Sequence, residues 1–243
     1  MKILVCITHV PDTTSKINFT DNSTKFDPTG VQFIIGPYDD YALARAIEIK
    51  EASGATVTVL NVGLAETEPT IRKALAIGAD DAIRVNAEPT DSFFVASQIA
   101  EHAKGYDLIL MGRESIVYNS GVVHGIVGEM LGIPSVSPVM KLEIDGSKSK
   151  LAREIEGGTE YLEVNLPFVA GCQEPIAEWK IPNMRGIMSA RTKPLKVVEP
   201  KAVDSGVALQ KFELPAPKGS VNMISADNVG ELVTLLKNEA KVL

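Results

Sequence analysis

The sequence predicts an α/β protein: a doubly wound, mostly parallel sheet with helices on both faces, an antiparallel extension, and an extended C-terminal arm ending in a helix. Three observations predict it. Short apolar runs stand at 3–7, 56–63, 82–85 and 108–111 without polar alternation, as expected of strands covered on both faces. Amphipathic stretches alternate with these runs across short connections, the pattern of strand-helix-strand winding. Beyond Pro134 the pattern changes to strand, turn, strand, and beyond Glu174 to a proline-rich stretch with few periodic runs.

The first strand, 3–7, ends at His9-Val10-Pro11-Asp12, a turn that leaves its carboxyl end open. Between Ile17 and Ile35 the pattern is that of a short hairpin excursion. Gly36-Pro37-Tyr38-Asp39-Asp40 starts a helix whose two acids suit its positive end, with Leu43, Ala44, Ala46 and Ile47 as its buried stripe. A second strand at 56–63 precedes a helix at 67–77 with Pro69 in its first turn and Gly78 past its end. A third strand at 82–85, a helix at 91–103 and a fourth strand at 108–111 follow. The runs 139–144, 151–155 and 161–165, broken at Asp145-Gly146-Ser147 and Gly157-Gly158, read as an antiparallel meander, and 167–171 returns as an apolar strand. Ser225 is placed to cap a final helix through Leu232, Val233, Leu236 and Ala240, which either packs back on its own domain or docks on another chain.

Composition narrows the function. A length of 243 residues, 45% hydrophobic and 23% charged, is that of an ordinary globular protein with a substantial core. A net charge of −7 without a dense Lys/Arg stripe excludes a nucleic-acid binder. Cys6 and Cys172 lie far apart and outside any CxxC spacing, which supports neither a zinc site nor a disulfide framework and suits a reducing cytoplasm. The N-terminus turns polar too soon for a signal peptide, and no apolar run approaches membrane-spanning length, so no membrane insertion is expected. His9, His102 and His124 form no metal-ligand pattern. No Ser/His/Asp order, carboxylate pair or activated cysteine offers a catalytic centre.

The stretch from 108 to 134 organises the rest. A strand ends at Gly112, a polar loop follows, and an apolar run from Gly121 to Leu131 reads as a helix stopped by Gly132 and Pro134. The first N–H groups of such a helix lack internal partners and carry partial positive charge, so small residues delivered there accept an anion. Its glycines fit neither P-loop nor Rossmann spacing. In doubly wound sheets ligands sit beyond the carboxyl ends of the strands where the order reverses, which draws residues 6–8, Val62-Gly63 and 112–121 into one crevice. Arg113 either pairs with Glu114 or reaches across an interface, and His124 reads as a packed or capping residue.

Several stretches share a resemblance. They are 4–7 with Val10-Pro11-Asp12-Thr13; Gly36-Pro37-Tyr38-Asp39-Asp40-Tyr41-Ala42; and the helix 71–77 with Gly78-Ala79-Asp80. Most specific is Arg153-Glu154-Ile155-Glu156-Gly157-Gly158-Thr159-Glu160-Tyr161-Leu162 with Leu166-Pro167 after it. Together they resemble the β subunit of electron transfer flavoproteins over nearly the whole chain. The resemblance implies a Rossmann-like, adenine-nucleotide-binding fold in an obligate heterodimer with an FAD-carrying α subunit. It implies an electron carrier without catalytic residues of its own. Electrons would pass from acyl-CoA or other dehydrogenases toward the electron transfer flavoprotein quinone oxidoreductase, with AMP held structurally in β. A bifurcating branch of the family holds a second FAD in β, through an Asp-Gly-Asp loop that this chain lacks. A stand-alone adenine-nucleotide-binding domain is the competing reading; the long arm and the missing glycine-rich ATP loop speak against it.

By position, the resemblance implies nucleotide contacts at Cys6, Gly36, Val62, Gly63, Gly112, Val117, Asn119, Ser120, Gly121, Val122 and Val123. Family members carry Asp where Val117 and Asn119 stand, polar side chains where Gly121, Val122 and Val123 stand, and Asn where Gly36 stands, which leaves backbone N–H groups of 120–123 and the Asn119 and Ser120 side chains for the phosphate. The segment 180–191 resembles the family's recognition loop for dehydrogenases, with Ile181 as aliphatic anchor beside Pro182, Asn183 and Met184. The loop 8–13 is expected to approach the partner's isoalloxazine ring. The implied organisation is a nucleotide-binding domain at 1–173, then recognition loop and arm at 174–243 docking on the α subunit.

Overall fold

In chain order the strands are β1 (Lys2–Cys6), β2 (His9–Pro11), β3 (Phe19–Thr20), β4 (Lys25–Phe26), β5 (Phe33–Ile35), β6 (Thr56–Val62), β7 (Asp81–Val85), β8 (Leu108–Gly112), β9 (Ser135–Asp145), β10 (Lys148–Ile155), β11 (Gly158–Asn165), β12 (Phe168–Cys172) and β13 (Leu195–Val198). The helices are α1 (Pro37–Ser53), α2 (Glu68–Ile77), α3 (Ser92–His102), α4 (Val123–Leu131), α5 (Met184–Ala190) and α6 (Val229–Asn238). The computed structural model describes residues 1–204 and 206–243. They form two compact units, Met1–Asn18 with Asp27–Leu209, and Phe19–Phe26 with Gln210–Leu243.

The first unit is built on a nine-stranded sheet ordered β11-β10-β9-β12-β8-β1-β6-β7-β13. Pairing is parallel from β9 to β13 and antiparallel through β10 and β11. A parallel strand must be covered on both faces, and β1 shows how the apolar run achieves this. Ile3 and Val5 enter a core with Leu43 and Ile47 of α1 and Ile71, Ala74 and Leu75 of α2. Leu4 and Cys6, pointing the other way, enter a second core with Ala96 and Ile99 of α3 and Val127 of α4. The chain winds from β1 through β6 to β7 on one side and returns to β8 on the other, so the order reverses at β1 and β8.

Residues 174–209, read from the sequence as the beginning of an arm, belong to this unit. α5 packs on α2, and β13 pairs in parallel with β7, from Leu195 opposite Ala82 to Val198 opposite Val85. Two cations hold the segment in place. Arg72 Nη1 donates to the carbonyls of Ala190 (3.0 Å) and Lys193 (2.8 Å), and Lys193 Nζ donates to those of Leu75 (2.9 Å) and Ala79 (2.6 Å). Each cation sits where a helix end exposes unpaired carbonyls.

The second unit joins the β3–β4 hairpin to the C-terminal segment. Phe212 stacks on Phe19 with ring centroids 4.7 Å apart, and its N–H donates to the Ser23 carbonyl at 2.6 Å. Ser225 caps a single 3-10 turn, Ala226–Asn228, that leads into α6. None of the α6 residues is buried, and Val229, Leu232 and Val233 stay exposed. No helix among the described residues is long and apolar enough to cross a membrane.

Candidate functional site

The carboxyl ends of β1 and β8 meet around Asp39, in the first turn of α1. Its side chain is 4% exposed and accepts three hydrogen bonds. Oδ2 receives the Thr8 N–H (2.8 Å) and hydroxyl (2.6 Å) just past β1, and Oδ1 receives the Gly112 N–H (2.8 Å) at the end of β8. Burial pushes the Asp39 pKa up to about 6, against the pull of these donors. Gly36 and Gly112 are the space this carboxylate needs. A Cβ on Gly36 would lie 2.5 Å from Asp39 Oδ2, and one on Gly112 would lie 2.6 Å from Oδ1.

Gly36, Gly63 and Gly112 therefore stand at the crevice with their amides already engaged. Gly36 N–H donates to the Thr8 carbonyl (3.2 Å), Gly63 N–H to the Val85 carbonyl (3.0 Å), and Gly112 N–H to Asp39. Thr67 and Asn61 crowd the Gly63 Cα. Beneath it Arg84, 7% exposed, donates to the Gly63 carbonyl (3.0 Å) and to Asn86 Oδ1 (2.9 Å), while Asn61 Nδ2 donates to the Ile7 carbonyl (2.9 Å). Val62 and Cys6 are buried toward the α3 and α4 side of the sheet. Burial, reinforced by the Asp39 charge, raises the pKa of both the Cys6 and the Cys172 thiol, the latter up to about 12, so neither offers a thiolate.

Anion capacity lies further along the loop. Val117, Tyr118, Asn119, Ser120 and Val122 are exposed, and Asn119 (φ 50) and Gly121 (φ 58) take left-handed conformations that fold the loop back toward α4. Ser120 Oγ lies 2.9 Å from Ser92 Oγ, tying the loop to the start of α3. α4 begins with Val122 at its cap position, and no side chain caps it. Its first-turn N–H groups, from Val123 onward, thus point to a partner outside the helix.

His124 is partly buried and bonds both to β9 and back to the loop. Its Nδ1 lies 3.3 Å from Ser135 Oγ, and burial lowers its pKa while a hydrogen bond with the Gly121 backbone opposes that. Arg113 stacks over the Tyr38 ring at 5.5 Å, donates to Gln173 Oε1 at 2.8 Å and lies 3.7 Å from Glu114 Oε2. Sequence reasoning missed Asp39 as a clamp, because an acid in a first helical turn is ordinary and its partners come from two distant strands. Buried Arg84 and Asn61 were missed likewise; both stand in strands whose apolar neighbours dominate the pattern.

The loop after β1 is fixed by its own small sheet, with His9 opposite Ile35 and Pro11 opposite Phe33 in β5. The His9 ring stacks on Phe33 at 4.3 Å, and Nδ1 lies 2.7 Å from Thr70 Oγ1. On the recognition segment, Ile181 is 74% exposed and Met184 73% exposed. Pro182 lines a groove with Arg72, Lys73, Ile187 and Arg191, and Asn183 Oδ1 caps α5 by accepting the Gly186 N–H at 2.8 Å. Gly186 lets α5 close on α2, since a Cβ there would collide with the Ala76 carbonyl.

A family model described as the electron transfer flavoprotein domain matches residues 24–203. The chain is similar to the electron transfer flavoprotein subunit beta of Bacillus subtilis, 34% identical over 260 aligned residues that span the whole of both chains. It is 36% identical to the Syntrophomonas wolfei subunit beta, covering all of this chain and 98% of that one. The mitochondrial subunit beta of Arabidopsis thaliana is 31% identical across the full length of both.

Proposed function

Because this chain belongs to the electron transfer flavoprotein family, as a β subunit, we propose that it pairs with an FAD-carrying α subunit and relays electrons from dehydrogenases toward a quinone oxidoreductase. The chain itself is an electron-carrier subunit and not a catalyst. Flavin bound with the α subunit supplies the redox chemistry; the β chain positions it and docks the complex.

The observation that carries the nucleotide part of this reading is the uncapped first turn of α4 at the end of a loop leaving the switch-point strand β8. A nucleotide phosphate fits there: N–H groups at Val123 and beyond donate to it, with the Asn119 and Ser120 side chains beside them. Val62 and Cys6 supply an apolar floor, while Gly36, Gly63 and Gly112 contribute shape, their amides being engaged elsewhere. AMP is the ligand proposed for this loop because it is the nucleotide that the family resemblance implies. The arm supports the heterodimer, since α6 presents Val229, Leu232 and Val233 with no cover of its own. Ile181, Pro182, Asn183 and Met184 form the dehydrogenase-docking tip, an exposed apolar anchor rimmed by Arg72, Lys73 and Arg191 that suits a transient acidic partner.

Co-expression with the FAD-binding partner, then acid extraction and chromatography of the released nucleotides, tests the reading. One FAD and one AMP per heterodimer is expected. Two FAD would make the complex bifurcating, and FAD without AMP would overturn the role given to the α4 loop.

A further inference from the structure

The geometry points to Asp39 as a positioning residue: its carboxylate latches the flavin-side loop that begins at Thr8 to the phosphate loop that begins at Gly112, and the latch holds the nucleotide in place. This rests on the reading of the loop before α4 as a phosphate loop. Three donors converge on the two oxygens, two from Thr8 and one from Gly112. Two glycines are cut away to admit the carboxylate, and no cation pairs with it among the described residues. The site is thus built to hold a carboxylate by hydrogen bonds alone, at the point where the sheet reverses its order.

Protonation loosens this latch. A neutral acid no longer carries the negative charge on its oxygens, and its bonds with Thr8 and Gly112 lose their charge assistance. The ionisable groups that feel the Asp39 charge are the Cys6 thiol from β1 and the Cys172 thiol from β12, both raised well beyond neutrality, and Asp40 on α1, itself pushed up to about 6 by burial with Lys73 opposing and the Asp39 charge reinforcing. None of these carries a compensating positive charge. Asp39 titrates near pH 6, so the latch closes as pH rises through that value.

The test is AMP binding by calorimetry to the α/β complex freed of nucleotide, from pH 5 to pH 8, for wild type, Asp39→Asn and Thr8→Val. In Asp39→Asn one backbone N–H must face the new amide NH2, so one arm of the latch is lost. The expected wild-type to Asp39→Asn affinity ratio is about tenfold at pH 8, the size of one charge-assisted bond, and falls toward one at pH 5. Taking the ratio cancels the titration of AMP itself and of His9 and His124; Asp40 loses the Asp39 charge in the variant and titrates lower there. Thr8→Val removes a donor that favours the ionised form, so its binding profile shifts to higher pH than wild type. Wild-type binding with a ratio of one at every pH, or an unshifted Thr8→Val profile, overturns the role of Asp39. A wild-type complex that binds no AMP at any pH overturns the phosphate-loop reading itself.

Discussion

A methyl group at Gly112 would stand 2.6 Å from Asp39 Oδ1, 2.7 Å from Tyr38 Cβ and 3.0 Å from Asp39 N. Two of these neighbours are fixed by the helix they start, so the strand end must move. Gly112→Ala is expected to cost about 1–3 kcal/mol as overpacking, read as a fall of several degrees in the thermal midpoint; an unchanged midpoint would mean the carboxylate can be displaced freely. Asp39 also sets a sign. Its folded pKa stands above the ordinary carboxylate value, so between about pH 4 and 6 the folded chain holds a proton that the unfolded chain has lost. Its contribution to stability therefore declines as pH rises through that window. Ionisation opposes the fold and favours the latch. The sequence made Gly63 and Gly112 legible as crevice residues because strand ends are legible, and Gly36 only through the family resemblance. It did not reveal that Asp39, Thr8 and Thr67 fill the space they leave, since that depends on which strand ends become neighbours.

At the scale of elements, the parallel strands were readable because burial on both faces leaves continuous apolar runs, and α1 to α4 because caps and prolines mark their ends. β13 and α5 were not. A four-residue strand and a seven-residue helix among prolines are too short for periodicity, and their place is set by tertiary partners, the β7 edge and Arg72. That dependence gives a paired prediction for the recognition segment. Ile181→Asp should slow flavin reduction by the dehydrogenase while FAD and AMP content stay unchanged, because the side chain is exposed and touches neither site. Arg72→Met removes the carbonyl contacts that hold α5 and the 190–193 turn, and should slow the same step with nucleotide content preserved. Stopped-flow reduction reads both; wild-type rates in Ile181→Asp would remove the docking role, and wild-type rates in Arg72→Met would mean α5 does not need its tether.

On the scale of the whole molecule, the sheet unit holds the crevice, and the second unit ends in a helix whose apolar residues have no cover of their own. An isolated chain that exposes Val221, Met223, Val229, Leu232 and Val233 in one terminal segment is an incomplete surface, which fits a subunit better than a free-standing domain. The family relationship gives that surface its proposed partner. The most direct test co-expresses the chain with an FAD-binding α subunit and follows electrons from an acyl-CoA dehydrogenase through the purified complex to a dye. The account predicts a one-to-one complex carrying FAD that sustains transfer, with neither chain active alone. A stable monomer of this chain that takes up no α subunit, and a mixture that passes no electrons, would contradict it.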